Sequence, residues 1–281
     1  MPEVSAPQTL AFDHPLDELD VRLIGGSVNI VGTEESGARV EITDIRGRPL
    51  TVRREGARLD VGHDELFRKD VLRILERRKQ HCEADVTVSV PAGTRVRVGV
   101  VRADTVVSGV DRRTEVRGVS AGITLVGLGG EVRVDTVSGH VEAQALRDSL
   151  RVNAVSGSLT VVDGAASTLR ADTVSGDVII DLDRRAAAAD VRLNTVSGEI
   201  AVRLAEPADT TVEAATAGGT VSSAFDEVRA DGPWGARRLN GSLGNGTGRL
   251  RAHTVSGPIA LLRRPPTDEA PPVGSGLRKE V

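Results

Sequence analysis

The sequence predicts an all-β chain wound as a single-stranded β-solenoid, or β-helix, with one short helix in an N-terminal insertion. Three observations carry that expectation: one phrase recurs along the chain, the composition favours strands and tight turns, and aromatic side chains are almost missing. Among 281 residues there are three Phe, one Trp and no Tyr beside 31 Gly. Ordinary cores draw much of their buried area from aromatics, so this core must close on small β-branched and aliphatic side chains. At 39% hydrophobic and 27% charged, the chain carries enough apolar material to fold. Its length suits one or two domains.

The N-terminal region, 1–90, reads as strands and turns, with LDVRLIGGSVNIVG, ARVEITDI, LTVRREG and ARLDVG between residues 8 and 62. Gly25-Gly26-Ser27-Val28 has the form of a degenerate coil, so this region is continuous with the solenoid or caps it. The expected helix lies at 64–79, DELFRKDVLRILERRK, opening on Asp64 and closing on Lys79. Phe67, Val71, Ile74 and Leu75 follow the 3.6-residue period, while acids open the segment and bases close it. Such a helix covers a flank or an open end; its basic side chains beside a Leu/Phe face are the chain's one feature suited to a membrane surface. Beyond Arg264 the Pro- and Gly-rich stretch 264–281 reads as a disordered tail.

The repeat occupies 91–263. It reads VRVDTVSGHVEA at 132–143, LRVNAVSGSLTV at 150–161, LRADTVSGDVII at 169–180, VRLNTVSGEIAV at 191–202 and LRAHTVSGPIAL at 250–261. Weaker copies stand at 101–110, 116–125, 212–221 and 238–247. Steps between Gly139, Gly157, Gly176 and Gly198 are 18, 19 and 22 residues, within the 16–22 expected of one solenoid turn. With the glycine as position zero, pleat alternation sends the apolar −7 and −5 positions inward and the Arg at −6 outward. Gly139, Gly157, Gly176, Gly198 and Gly257 are then corners, where a Cβ would be penalised. Stacking coils about 4.8 Å apart aligns equivalent residues in ladders. Serines and Asp/Asn near the corner are placed to satisfy backbone groups there. The general preference of parallel crossovers favours a right-handed coil.

The DTVSG-x-V phrase, the repeated coils and VTVSVPAGTRVRV at 86–98 are similar to the bacterial β-strand-repeat “putative adhesin” family, a domain of unknown function. The resemblance covers about residues 84–263 and extends to the N-terminal strands. It implies a β-solenoid and an adhesin-like binding role.

Chemistry-bearing patterns are few. Gly118-Val119-Ser120-Ala121-Gly122 spells the hydrolase G-x-S-x-G, yet a strand follows where that mechanism needs a helix. Gly244-Asn245-Gly246-Thr247-Gly248 lacks the helix that would complete a phosphate loop. His14, His63, His81, His140 and His253 show no metal-ligand spacing, and Cys82 is the sole cysteine. No catalytic residue, cofactor or metal is therefore nominated. Arg133, Arg151, Arg170 and Arg192 should stack as a basic stripe, a candidate polyanion site if neighbouring acids leave it unneutralised. A formal net charge of −4 and the lack of interleaved aromatics speak against nucleic acid.

The expected function is a non-enzymatic binding or adhesin-like scaffold, its partner a protein or a polysaccharide. The alternative is a cytoplasmic, self-assembling structural protein, similar to the bactofilins, joined end to end through open strand edges. A cytoplasmic location is expected from the missing signal-peptide pattern, the missing membrane span and the single cysteine.

Overall fold

The computed structural model describes residues 3–63, 82–231 and 237–265. The helix expected at 64–79 and the tail from 266 lie outside the described residues. What is described is all-β, relieved only by a 3-10 turn at Arg184–Ala186. Each coil contributes two strands separated by a corner, and equivalent strands of neighbouring coils pair in parallel. Val132–Ser138 pairs with Ser149–Ser156, that strand with Thr168–Ser175, and that one with Asp190–Ser197. Beyond the corner, Val141–Gln144, Leu159–Gly164, Val178–Leu182 and Ile200–Leu204 form a second parallel ladder. Repeats thus stack with like residues in register, the arrangement of a β-solenoid.

The inward positions explain why the composition suffices. Val132, Leu150, Leu169, Val191 and Leu250 stack at −7, and Val134, Val152, Ala171, Leu193 and Ala252 at −5, all buried. The row continues at −3 with Thr136, Thr173, Thr195 and Thr254. Three of their hydroxyls turn back onto the carbonyl two residues on: Thr136 to Ser138 at 3.2 Å, Thr173 to Ser175 at 3.4 Å and Thr195 to Ser197 at 3.1 Å. Threonine keeps the β-branched shape while satisfying its own hydroxyl.

At the corners, Gly139, Gly157, Gly176, Gly198 and Gly257 all take positive φ, between 122° and 147°. A Cβ on Gly157 would land on the carbonyl oxygen of Gly139 beneath it, and the same holds one coil on for Gly176 over Gly157. Glycine is therefore required twice over, by the backbone angle and by the close approach of the coil below.

Chain order and stacking order differ at both ends. Asp190–Ser197 is covered not by the next repeat in sequence, Thr210–Thr216, but by Gly248–Ser256. Thr210–Thr216 lies outside that strand, and Val221–Ser223 lies outside Ile259–Arg263. The N-terminal end mirrors this: Glu18–Thr33 sits between Arg95–Ser108 on one side and Arg58–Gly62 with Glu83–Pro91 on the other. Each end is closed by antiparallel strands. Leu50–Glu55 and Ala38–Arg46 close the first end, and Arg238–Leu243 with Val228–Asp231 closes the second.

Two weak copies are placed differently from the sequence expectation. Residues 238–247 do not form a coil but an antiparallel strand and a turn, because Gly244 (φ 58°) and Gly246 (φ 69°) reverse the chain. In 101–110 the corner falls at Ala103, opposite Gly26, whereas Gly109 lies past the end of the following strand. The phrase DTV recurs there out of register with the other copies, so Asp104 stands just beyond the corner and accepts the Gly122 amide at 2.9 Å.

Candidate binding face

The outer face of the first sheet carries rows of near-identical side chains. At −6, Arg133, Arg151, Arg170, Arg192 and Arg251 stand directly opposite one another on successive coils. At −4 the row is Asp135, Asn153, Asp172, Asn194 and His253. At −2 it is Val137, Val155, Val174, Val196 and Val255, each about half exposed, between 47% and 54%. The two-residue pleat puts all three rows on one side. The sequence reading found the arginine row but passed over the valines, since Val in a strand reads as core. Its even spacing from the outward Arg was the available signal.

Arg and Asp rows neutralise each other. Arg133 Nε donates to Asp135 Oδ2 at 2.9 Å, and Arg170 Nε donates to Asp172 Oδ2 at 2.8 Å. Arg192 pairs with Asp190 at 2.9 Å and Arg251 with Glu213 at 3.3 Å. Among the described residues, Arg151 lies within 4 Å of no carboxylate, though Asp172 feels its charge. Asp190, in the same strand as Arg192, takes part in these pairs; the larger share falls to Asp135 and Asp172, each two residues on from its arginine. The stripe is thus a mixed-charge surface rather than a bare cationic one.

The −4 row is bonded along the solenoid axis. Asn153 Nδ2 donates to Asp135 Oδ1 at 2.6 Å, and Asn194 Nδ2 donates to Asp172 Oδ1 at 2.7 Å. Alternating amide with carboxylate lets one donate where two acids would repel. Burial pushes both carboxyls up, but hydrogen bonds and charge from Arg133 and Asn153, and from Arg170 and Asn194, outweigh it; both end below the usual range. The expectation that this ladder serves corner backbone groups is met instead by the serines. Ser138 Oγ donates to the Val119 carbonyl at 3.1 Å and shares a 2.8 Å bond with Ser120 Oγ.

The second sheet's outer face has no such uniformity. The row in register there is Glu142, Thr160, Ile179, Ala201 and Ala260. Nor do the sequence's chemical patterns converge. Ser120 belongs to the serine row, and a strand, Ile123–Val126, follows it. The glycine turn at 244–248 is held by an acid: Asp209 accepts from the Thr247 hydroxyl at 2.8 Å and from its amide at 3.2 Å. The Thr247 bonds hold that carboxyl below its ordinary range. His140 Nδ1 lies 2.6 Å from Ser158 Oγ, and His63 and Cys82 are both buried. Among the described residues, no three His, Cys, Asp or Glu side chains converge on a metal-sized site, and no helix is long and apolar enough to cross a membrane.

Comparison with solved structures finds one that shares the fold and others less similar to it. A “putative lipid binding protein” from Parabacteroides distasonis shares 14% identity at a TM-score of 0.51, over 92% of this chain and 97% of that one. A “putative adhesin” from Bacteroides fragilis shares 12%, over 91% and 97%, at 0.42. A “putative cell adhesion protein” from Clostridium sporogenes shares 13%, over 92% and 100%, at 0.32. No curated protein matches. The model of the family described as Toastrack DUF4097 matches residues 15–262, so the ladder of coils and its end caps fall together within one family unit. The chain belongs to the Toastrack DUF4097 family.

Proposed function

We propose that the protein is a non-enzymatic binding scaffold and that the first sheet's outer face is its contact surface. The observation that carries this reading is the contrast between the two outer faces. Folding constrains inward positions and corners, while solvent-facing positions tolerate variety. On the second sheet they vary; on the first, three rows repeat nearly unchanged over five coils. Loops between these same coils have diverged, as DRRAAAAD at 183–190 and AEPAD at 205–209 show. Uniform rows at a fixed spacing suit a flat or extended protein or polysaccharide partner rather than a small molecule in a pocket. A right-handed winding fits the parallel crossovers. Adhesin naming among the fold's relatives accords with a binding role.

Short edges at the two ends give the self-assembling alternative little to build on. Among the described residues they are Glu3–Val4, Gln8–Phe12, Val221–Ser223 and Val228–Asp231.

The test is capture from native-cell fractions on immobilised protein, comparing Arg151→Glu/Arg170→Glu on the first sheet with Thr160→Glu/Ile179→Glu on the second. The reading predicts that the first pair loses the species wild type enriches and the second retains them. Equal capture by both pairs, or loss only in the second, contradicts it. Sulfated polysaccharide serves as a separate probe of polyanion binding, which would weaken steeply with salt.

A further inference from the structure

We infer that two copies of this chain associate side by side through the valine row, their long axes parallel and related by a two-fold axis along the seam. The inference rests on the reading of this face as a contact surface and names one partner for it.

Val137, Val155, Val174, Val196 and Val255 form an unbroken apolar line on successive coils, 47–54% exposed. Contiguous exposed apolar surface marks an interaction site. Its repeat is the strand spacing, about 4.8 Å. A partner that meets every valine must carry the same period, and a second copy carries it identically.

Charge selects the orientation. Turning the second copy about an axis along the strands, perpendicular to the coil stack, would lay one arginine row over the other in reverse order, Arg133 against Arg251 and Arg170 against Arg170. Turning it about an axis along the stack sets valine on valine and places the two arginine rows on opposite flanks of the seam. Like charges are then kept apart, which is how charged rims reject wrong registers. The contact is about 24 Å long, from five coils at strand spacing, and little wider than the valine row itself. That buries well under the roughly 1,200 Å² total of a stable interface, so the dimer is weak and reversible.

Sedimentation velocity on the full chain over a concentration series from about 1 μM to about 1 mM, spanning weak affinities, tests the seam. Wild type should move from monomer toward dimer with rising concentration. Val155→Lys/Val174→Lys should stay monomeric with unchanged β-sheet circular dichroism, and Ile179→Lys should behave as wild type. Under mild oxidation Val137→Cys should cross-link to its own counterpart, which only the parallel arrangement permits. A wild-type monomer at every concentration overturns the proposal. So does a dimer that survives Val155→Lys/Val174→Lys, or failure of Val137→Cys to cross-link where Val174→Cys does. A wild-type monomer whose captured partners still depend on Arg151 and Arg170 removes the dimer and leaves the binding face. A seam-dependent dimer with capture unaffected by either pair does the reverse.

Discussion

At the scale of single residues, the corner glycines are the least replaceable positions. Gly157 has φ 134°, and a Cβ there would meet the Gly139 carbonyl. Gly56 has φ 59° and open space around its would-be Cβ. Gly157→Ala should therefore cost about 3 kcal/mol or more, summing backbone strain and overlap, against about 1 kcal/mol for Gly56→Ala. Urea denaturation reads both, and equal losses would mean that the close approach is not real. His63 supplies a second prediction. Burial pushes its imidazole below the ordinary value, and the Arg48 charge acts in the same direction, against the smaller opposing pull of the Arg48 backbone. The unfolded chain then binds a proton that the folded chain refuses, so stability should fall as pH drops below the ordinary His value of about 6.5. Denaturation at pH 7 and pH 5 should show that loss, and His63→Leu should diminish it.

At the scale of the strand, the rows behave as units. Leu169 is buried between Leu150 and Val191, and Leu169→Ala should cost about 2–5 kcal/mol by denaturation, the span of a core cavity. Asn153→Asp would place three carboxylates on consecutive coils and remove the amide donor to Asp135. It should destabilise by about 1–2 kcal/mol at neutral pH, from the lost hydrogen bond and the repulsion, and recover as the pH falls toward carboxylate protonation. Wild type should do the opposite there, because Asp135 and Asp172 are held below the usual range and their stabilisation is lost on protonation. These rows also show how far the sequence could be read. Alternation at −7, −6 and −5 gave the inward and arginine rows directly, because a two-residue period has only two answers. It stopped at −3 and −2, where Thr faces in and Val faces out. There hydrophobicity points the wrong way, and local hydrogen bonding to the corner carbonyls decides. Residues 238–247 misled for a related reason: a Leu-Asn-Gly-Ser phrase suits a corner and a hairpin turn alike.

At the scale of the whole molecule, the chain enters and leaves its stack one coil in from each end. Glu18–Thr33 and Gly248–Ser256 are each covered by a coil from elsewhere in sequence and then by antiparallel strands. A solenoid coil contacts only its neighbours, so an open end is its weakest place. Folding a later or earlier segment over each end removes the long parallel edges on which further chains could add. The stacking order was not legible, because LRAHTVSGPIAL at 250–261 matches its neighbours in every position that sets register. Repeats specify what stacks but not the order of stacking when copies are interchangeable. The three outer rows depend on that order, since Arg251, His253 and Val255 join them only if their coil follows the one at 190–204. Paired cysteines on the exposed −2 row measure it directly, because adjacent parallel strands lie within disulfide reach and strands two coils apart do not. Val196→Cys/Val255→Cys should close an intrachain disulfide under mild oxidation, and Val196→Cys/Ala217→Cys should not. Closure of the second pair and not the first would contradict the stacking order and with it the continuity of the proposed face.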